Sequence, residues 1–387
     1  MPKSNPMLGD ISPQTFLSES WQKQPRLIRG LFQEGFDPLS PEELAGLALE
    51  DDIGSRLVTT DGSDKGWKVY PGPFSEDVFA ALPESGWTLL VQEVNHLLPE
   101  VAALIQPFRF IPNWRLDDVM VSYAAPGGTV GPHIDSYDVF LIQGMGRRRW
   151  QVAAPIEEGC ARLVPDIDLQ VMADFVPTEE WTLKPGDVLY LPPGVPHHGI
   201  SDTPCMTYSV GFRAPTHQEI IACFFEEAVA ATDPNARYAD PDLTMQTDPG
   251  RIVPEALEQV RRVIRAAAND TAIDHWFGRH MTSPRDGEPD AGVDSKAMIH
   301  PHRLEQSPAS RWAYIEEKDG GCTLFVDGRA FPLPAGLSPL AGPLTGGAVN
   351  AGLLASFLDD PALGDALREL LSQLVAMGAL VDGTEPS

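Results

Sequence analysis

The sequence predicts a mixed α and β protein built around a double-stranded β-helix, the jelly-roll form of antiparallel barrel, and three observations carry that prediction. Between Gly127 and Pro215, short apolar runs alternate with Gly/Pro turns, such as Lys184-Pro185-Gly186-Asp187 ahead of Val188–Leu191. His133 and Asp135 stand one residue apart near the start of this region, and the pair His197-His198 stands toward its end. Outside the region the apolar period becomes helical, in Gln218–Ala231 and again in Pro254–Ala268.

The metal-ligating pattern comes first because the barrel is organised around it. Residues i and i+2 of an extended segment point to one face, so His133 and Asp135 project together. With His197 or His198 they make two imidazoles and one carboxylate, the facial triad of a non-heme Fe(II) oxygenase, which leaves coordination positions open for other ligands. The same N/O donors also suit Zn²⁺ or Mn²⁺, and an isolated H-x-D is often a surface turn. The neighbouring residues favour a site. Val139–Ile142, a Gly144-Met145-Gly146 turn and a strand from Arg147 read as a hairpin with the metal pair at its open end. Pro192-Pro193-Gly194-Val195-Pro196 is a rigid approach to His197, and adjacent strand residues face opposite ways, so only one of His197 and His198 can ligate.

Arg148 is the second informative residue. On the strand Arg147–Val152 a period of two puts Arg148 and Trp150 on one face and Arg147 and Arg149 on the other. If Trp150 faces the barrel interior, so does Arg148. An interior guanidinium is costly unless paired, and a dicarboxylic acid matches its fork.

The pieces GPHIDSYDVFLIQGMGRRRW and PGDVLYLPPGVPHHG, followed by Tyr208-Ser209-Val210-Gly211-Phe212-Arg213-Ala214-Pro215, resemble the JmjC-type ribosomal oxygenases. Within them the chain is most similar to the bacterial arginine hydroxylases of large-subunit ribosomal protein number sixteen. The resemblance is densest over Arg109–Pro215. It implies His133, Asp135 and His197 as Fe(II) ligands, Arg148 gripping the distal carboxylate of 2-oxoglutarate, and Ser122, on the strand Val119–Tyr123, adding a hydroxyl hydrogen bond to that cosubstrate. It further implies O₂ as second cosubstrate, a cupin-like JmjC core, a homodimer, a winged-helix-like C-terminal domain, and hydroxylation of an arginine β-carbon in a ribosomal protein. Three other readings share part of this evidence. They are a 2-oxoglutarate oxygenase of histidine or another residue, a cupin isomerase or storage protein with no need for an interior Arg148, and a non-enzymatic winged-helix regulator.

Composition bounds the rest. The 387 residues suffice for two or three domains, and no apolar run approaches the roughly 20 residues that span a bilayer. No charged segment followed by an apolar one opens the sequence, so a cytoplasmic protein is expected. Cys160, Cys205, Cys223 and Cys322 are widely separated, which argues against structural zinc and a disulfide framework. A net charge of −27 disfavours direct grip on nucleic acid and favours a basic protein partner.

In chain order, residues 1–215 are read as the JmjC/cupin catalytic domain with an N-terminal arm in which Trp21, Pro25 and Leu27 pack on the barrel. Ser40-Pro41-Glu42-Glu43 is a capping box that starts a helix. Leu89, Leu90, Val94, Leu97, Leu98, Val101 and Leu104 recur at helical spacing, interrupted or restarted by Pro99. Phe108–Trp114 and Val119–Tyr123 read as the first barrel strands, with Asp117 and Asp118 near the mouth. Ala154–Pro177 is expected to be a loop over that mouth, where Glu157, Glu158, Asp166, Asp168 and Asp174 could meet a cationic substrate.

Residues 216–282 are assigned to a helical dimerisation region, with His275 and His280 beside an apolar Trp276-Phe277-Gly278 anchor rather than at a metal site. Residues 283–297 are a linker rich in Pro, Gly and Asp. Residues 298–387 hold strands Cys322–Val326 and Ala330–Leu333 around an Asp327-Gly328 turn, then a helix near Ala362–Met377 stopped by Gly378. Arg368 alone is basic in that helix, so a protein-contact role is expected over DNA binding.

Overall fold

The computed structural model describes residues 7–33, 35–63, 66–156, 161–167, 169–284, 304–346 and 351–382. Glu157, Glu158, Cys160, Asp168 and most of the expected linker lie outside the described residues. The chain divides into two compact units, Met1–Ala214 and Pro215–Ser387.

The first unit opens with α1 (Pro13–Glu19), capped by the Ser12 side chain, β1 (Arg26–Ile28) and α2 (Pro41–Leu47). Ser40 and Glu43 form the expected reciprocal capping box at α2. The strands β2 (Ser55–Thr60), β3 (Trp67–Pro71) and β4 (Trp87–Val91) follow, with α3 (Glu76–Ala80) between the last two. Two short helices, α4 (Val94–Leu97) and α5 (Pro99–Ala102), lead into the barrel strands. These are β5 (Leu116–Ala124), β6 (Asp138–Gln143), β7 (Arg148–Val152), β8 (Glu179–Leu183), β9 (Val188–Leu191), β10 (His197–Ser201) and β11 (Cys205–Phe212).

Eight strands form one antiparallel sheet in the order β1-β9-β6-β11-β5-β4-β2-β3, and three form another in the order β10-β7-β8. The residues of β6 show how the layers stack. All six are buried, because Val139 and Leu141 face the interior shared with Trp150, Val152 and Leu189 while Phe140 and Ile142 face a layer containing Phe16, Leu44 and Phe108. The N-terminal arm is part of this construction. Its β1 pairs with β9, and Trp21 stacks on Tyr190 with ring centroids 5.7 Å apart.

Three local expectations are corrected. The strands β6 and β7 are not a hairpin, since β6 pairs with β9 and β11 and β7 pairs with β8 and β10. In a double-stranded β-helix the chain turns the corner between sheets here, and Gly146, at φ 73°, makes that corner where a Cβ would collide with the Pro204 carbonyl. Leu89 and Leu90 lie on a strand, their helical spacing overridden by pairing of β4 with β2 and β5. Phe108–Trp114 is turn and 3₁₀ structure, with Pro107 and Pro112 limiting ladder donors.

In the second unit, α6 (His217–Ala230) carries a Thr216/Glu219 capping box, followed by α7 (Pro254–Ala267) and α8 (Asp270–Thr282). β12 (Leu304–Gln306) pairs with the final strand, while β13 (Trp312–Glu316), β14 (Cys322–Val326) and β15 (Arg329–Leu333) form a three-stranded sheet. The helices α9 (Ala341–Thr345), α10 (Ala351–Leu358) and α11 (Gly364–Ala376) precede β16 (Leu380–Asp382). Asp327 and Gly328, both at positive φ, close the β14–β15 hairpin, and Leu367, Leu370, Leu371 and Leu374 of α11 enter this unit's core. Trp276 is buried on α8 and stacked on His280, and Gly278 lies against the Phe325 ring, an apolar anchor as the sequence suggested.

Candidate metal centre and active site

His133 and Asp135 sit on the segment entering β6, and His197 opens β10. An isolated antiparallel bridge joins His133 to His197, with His133 N–H donating to the His197 carbonyl at 3.0 Å and the reverse bond at 2.9 Å. This bridge brings together two ligands 64 residues apart. Asp135 Oδ1 lies 3.7 Å from His133 Nε2, and Asp135 Oδ2 lies 3.5 Å from His197 Nε2. One donor atom from each residue falls within 4.8 Å of the others.

The imidazoles are held for ligation. His133 Nδ1 lies 2.9 Å from the Gly131 carbonyl and His197 Nδ1 lies 3.0 Å from the Val195 carbonyl. A carbonyl only accepts, so each Nδ1 carries a proton and each Nε2 points toward Asp135. Burial pushes the His197 pKa down to about 4, keeping its ring neutral as a metal ligand requires. Two imidazole Nε2 atoms and a carboxylate at these separations fit a divalent transition metal.

His198 faces away. It packs edge-on against Phe175, with its Nε2 buried and unpartnered, and burial lowers its pKa to about 4 as well.

The triad and Arg148 line one cavity of about 400 Å³. Arg148 is 3% exposed, next to Trp150 on the interior face of β7, whereas Arg147 is exposed and Arg149 is half-buried beside Glu180 and Asp202. Arg148 Nη1 donates to Ser122 Oγ at 3.3 Å and to Thr207 Oγ1 at 3.4 Å, and Nη2 donates to the Gly199 carbonyl at 3.4 Å. Its Nε has no partner, and among the described residues Arg148 makes no ion pair. Burial accordingly lowers its pKa. Gly199 makes room for this side chain, since a Cβ there would lie 2.7 Å from the Trp150 ring and 2.8 Å from Arg148 Nε.

Sequence reasoning missed Thr207 and Ser209, which line the same cavity from β11. The available signal was two hydroxyls spaced by two in a strand buried on both faces. The Ala154–Pro177 loop contributes Leu169 and Gln170 to the wall; its Asp174 is paired with Arg162 instead of lining the cavity.

Comparison with known proteins agrees with this geometry. The JmjC domain family matches residues 103–220, and the AraC-like ligand binding domain family matches residues 178–274. The chain is 41% identical to the ribosomal protein uL16 3-hydroxylase of Escherichia coli K12, over 70% of this chain and 71% of that one. It is 33% identical to a probable ribosomal oxygenase of Haemophilus influenzae, over 81% and 78% of the two chains. The X-ray structure of E. coli YcfD superposes with a TM-score of 0.81 at 34% identity, covering 96% of this chain and 98% of that one. The structure of YcfD, described as a ribosomal oxygenase, with cobalt and 2-oxoglutarate has a TM-score of 0.76 at 34% identity, covering 95% and 97%.

Proposed function

This chain belongs to the JmjC-type ribosomal oxygenases, and from that premise we propose that it is an Fe(II)- and 2-oxoglutarate-dependent hydroxylase of an arginine β-carbon in a large-subunit ribosomal protein. The observation that carries the reading is Arg148, a buried guanidinium with no carboxylate partner among the described residues, in the cavity that also holds the His133, Asp135 and His197 donors. A dicarboxylate satisfies both ends at once. His133, Asp135 and His197 would hold the iron; Arg148, with Ser122 and Thr207, would hold the far carboxylate of 2-oxoglutarate.

Bound iron with 2-oxoglutarate and O₂ supplies an oxidant strong enough to hydroxylate an unactivated C–H bond. The chain's own residues orient and shield. The Gly131 and Val195 carbonyls fix both imidazoles, and Leu141, Val139 and Trp150 keep the interior apolar.

A cationic target has support beside Tyr137, which lines the cavity. Asp118 is buried and accepts a hydrogen bond from the Glu93 N–H at 3.1 Å. A Cβ on Gly211 would lie 3.6 Å from its carboxylate and 3.8 Å from the Tyr137 ring, so a bare backbone step separates a carboxylate from an aromatic face. Ile221, Val229, Val260 and Val263 of α6 and α7 are exposed, which supports a homodimer through these helices. We assign the C-terminal residues 298–387 to a winged-helix-like protein-contact module, and the protein to the cytoplasm. Incubation of the iron-loaded protein with ribosomal proteins and 2-oxoglutarate tests the reading: a mass increment of about 16 daltons on an arginine is expected. Modification of a histidine would move the target, and no modification of any ribosomal protein would overturn the proposal.

A further inference from the structure

We propose that a second cavity, on the opposite side of the strand carrying His197, receives a neighbouring side chain of the same protein substrate, one that is uncharged and mainly apolar. The assignment rests on the hydroxylase reading above. The cavity encloses about 540 Å³, against about 400 Å³ for the active-site cavity.

The two cavities are separated by a wall one chain thick. His197 lines the first and His198 the second; Val130 and His133 line the first, Thr129 and Pro132 the second; Leu169 and Gln170 line the first, Val171 and Met172 the second. Adjacent residues divide between the cavities at Thr129-Val130, Pro132-His133 and His197-His198, while Leu169-Gln170 and Val171-Met172 divide as pairs. The side-chain layers on two sides of such a wall are about 10 Å apart, and an extended polypeptide advances about 3.3 Å per residue. A substrate with its target residue in the first cavity therefore offers a side chain about three positions away to the second.

The lining defines the occupant. Trp67, Val164, Met172 and Ile200 give it apolar walls. Its cation, Arg162, is already paired, with Nε 2.6 Å from Asp174 Oδ2, and the Thr129 hydroxyl already accepts from the Gly131 N–H at 3.0 Å. Among the described lining residues a charged side chain would find no unpaired counter-ion, and an apolar body would displace water from apolar walls. The residues from Leu169 to Met172 border both cavities, so an occupant of the second braces a wall of the first.

Steady-state kinetics with a ribosomal-protein fragment tests this, using alanine-scanned fragments that cover four residues on each side of the target. Ala173→Trp and Thr60→Trp fill the cavity from different walls, and thermal melting reports whether each variant folds. The fragment KM is expected to rise about tenfold in both variants with kcat changed less than about twofold. One alanine-scanned fragment, altered at an uncharged residue about three positions from the target, should show the same rise on the unaltered enzyme and no further rise on the filled variants. Should neither variant fold, the scanned fragments on the unaltered enzyme decide. Folded variants with unchanged KM, or scanned fragments that all behave alike, overturn the assignment while leaving the hydroxylase reading intact. If the unaltered enzyme adds no oxygen to any fragment, the hydroxylase reading fails and this assignment fails with it.

Discussion

The barrel interior and the α6–α7 segment are inversions of one another. In the barrel, Arg148 at 3% exposure lies among apolar walls; on α6 and α7, Val229 at 72% and Val263 at 63% lie in water. Each is a residue on the wrong side of the polar boundary, and each implies something that completes it. A buried charge calls for a small ligand of opposite charge, whereas a row of exposed aliphatic side chains calls for a surface of similar extent. The chemistry of the misplaced group thus indicates the size of its partner.

The largest effect tests the barrel side. His133→Ala or Asp135→Ala should lower 2-oxoglutarate turnover by about a thousandfold or more, with the fold retained, because these partly exposed ligands contribute metal affinity more than packing. Circular dichroism beside a turnover assay checks both halves, and full turnover by either variant would break the iron assignment.

The helical side comes next. Val229→Asp with Val263→Asp should weaken self-association by about a hundredfold, since each replaces an apolar contact by a charge that must be desolvated. Sedimentation at several concentrations reads the change, and an unaltered distribution would mean that these side chains face something other than a second copy.

The pH dependence sharpens what burial does inside the barrel. His197 has a pKa of about 4 in the folded protein against an ordinary 6.5, so between these values the unfolded chain binds a proton that the folded chain does not. The metal-free protein should therefore have its full stability above pH 6.5 and lose about 3 kcal/mol from His197 as the pH falls to 4, with His198, also held down to about 4 by burial, adding a further loss over the same window. Urea unfolding across that window checks it, and His197→Phe should reduce the slope by about half, leaving the share of His198; an unchanged slope would place the titration elsewhere.

Arg148→Ala should raise the half-saturating 2-oxoglutarate concentration about tenfold or more, while Arg147→Ala and Arg149→Ala leave it nearly unchanged. Equal effects at the three positions would replace a specific grip by a general electrostatic field.

Much of this was legible because period two is strict. The alternation that put Arg148 and Trp150 inside and Arg149 outside, and that separated His197 from His198, follows from pleat geometry and needs no tertiary information. Sheet membership does not follow from it. Strands β6 and β7 have the turn and flanks of a hairpin, yet their partners are β9, β11, β8 and β10, chosen by the closure of two sheets around a common interior. Leu89 and Leu90 illustrate the same limit, since apolar residues at helical spacing also fit a buried strand followed by short helices. Thr207 was hidden for another reason: a hydroxyl in an apolar strand acquires its role only from the arginine that the fold sets 3.4 Å away.

The depth of Arg148 has a consequence for the order of events in a catalytic cycle. Arg148 is a buried residue, whereas the His133 and Asp135 side chains are partly exposed. A diacid gripping Arg148 would lie deeper than the partly exposed metal-binding side chains, so a polypeptide seated over those side chains would bar its exit. On that geometry the cycle would run as a queue in which the small diacid enters first and its remnant leaves last. Succinate should compete with 2-oxoglutarate at every substrate concentration, while excess protein substrate should trap the diacid and slow its exchange, a pattern that isotope-chase kinetics would display directly.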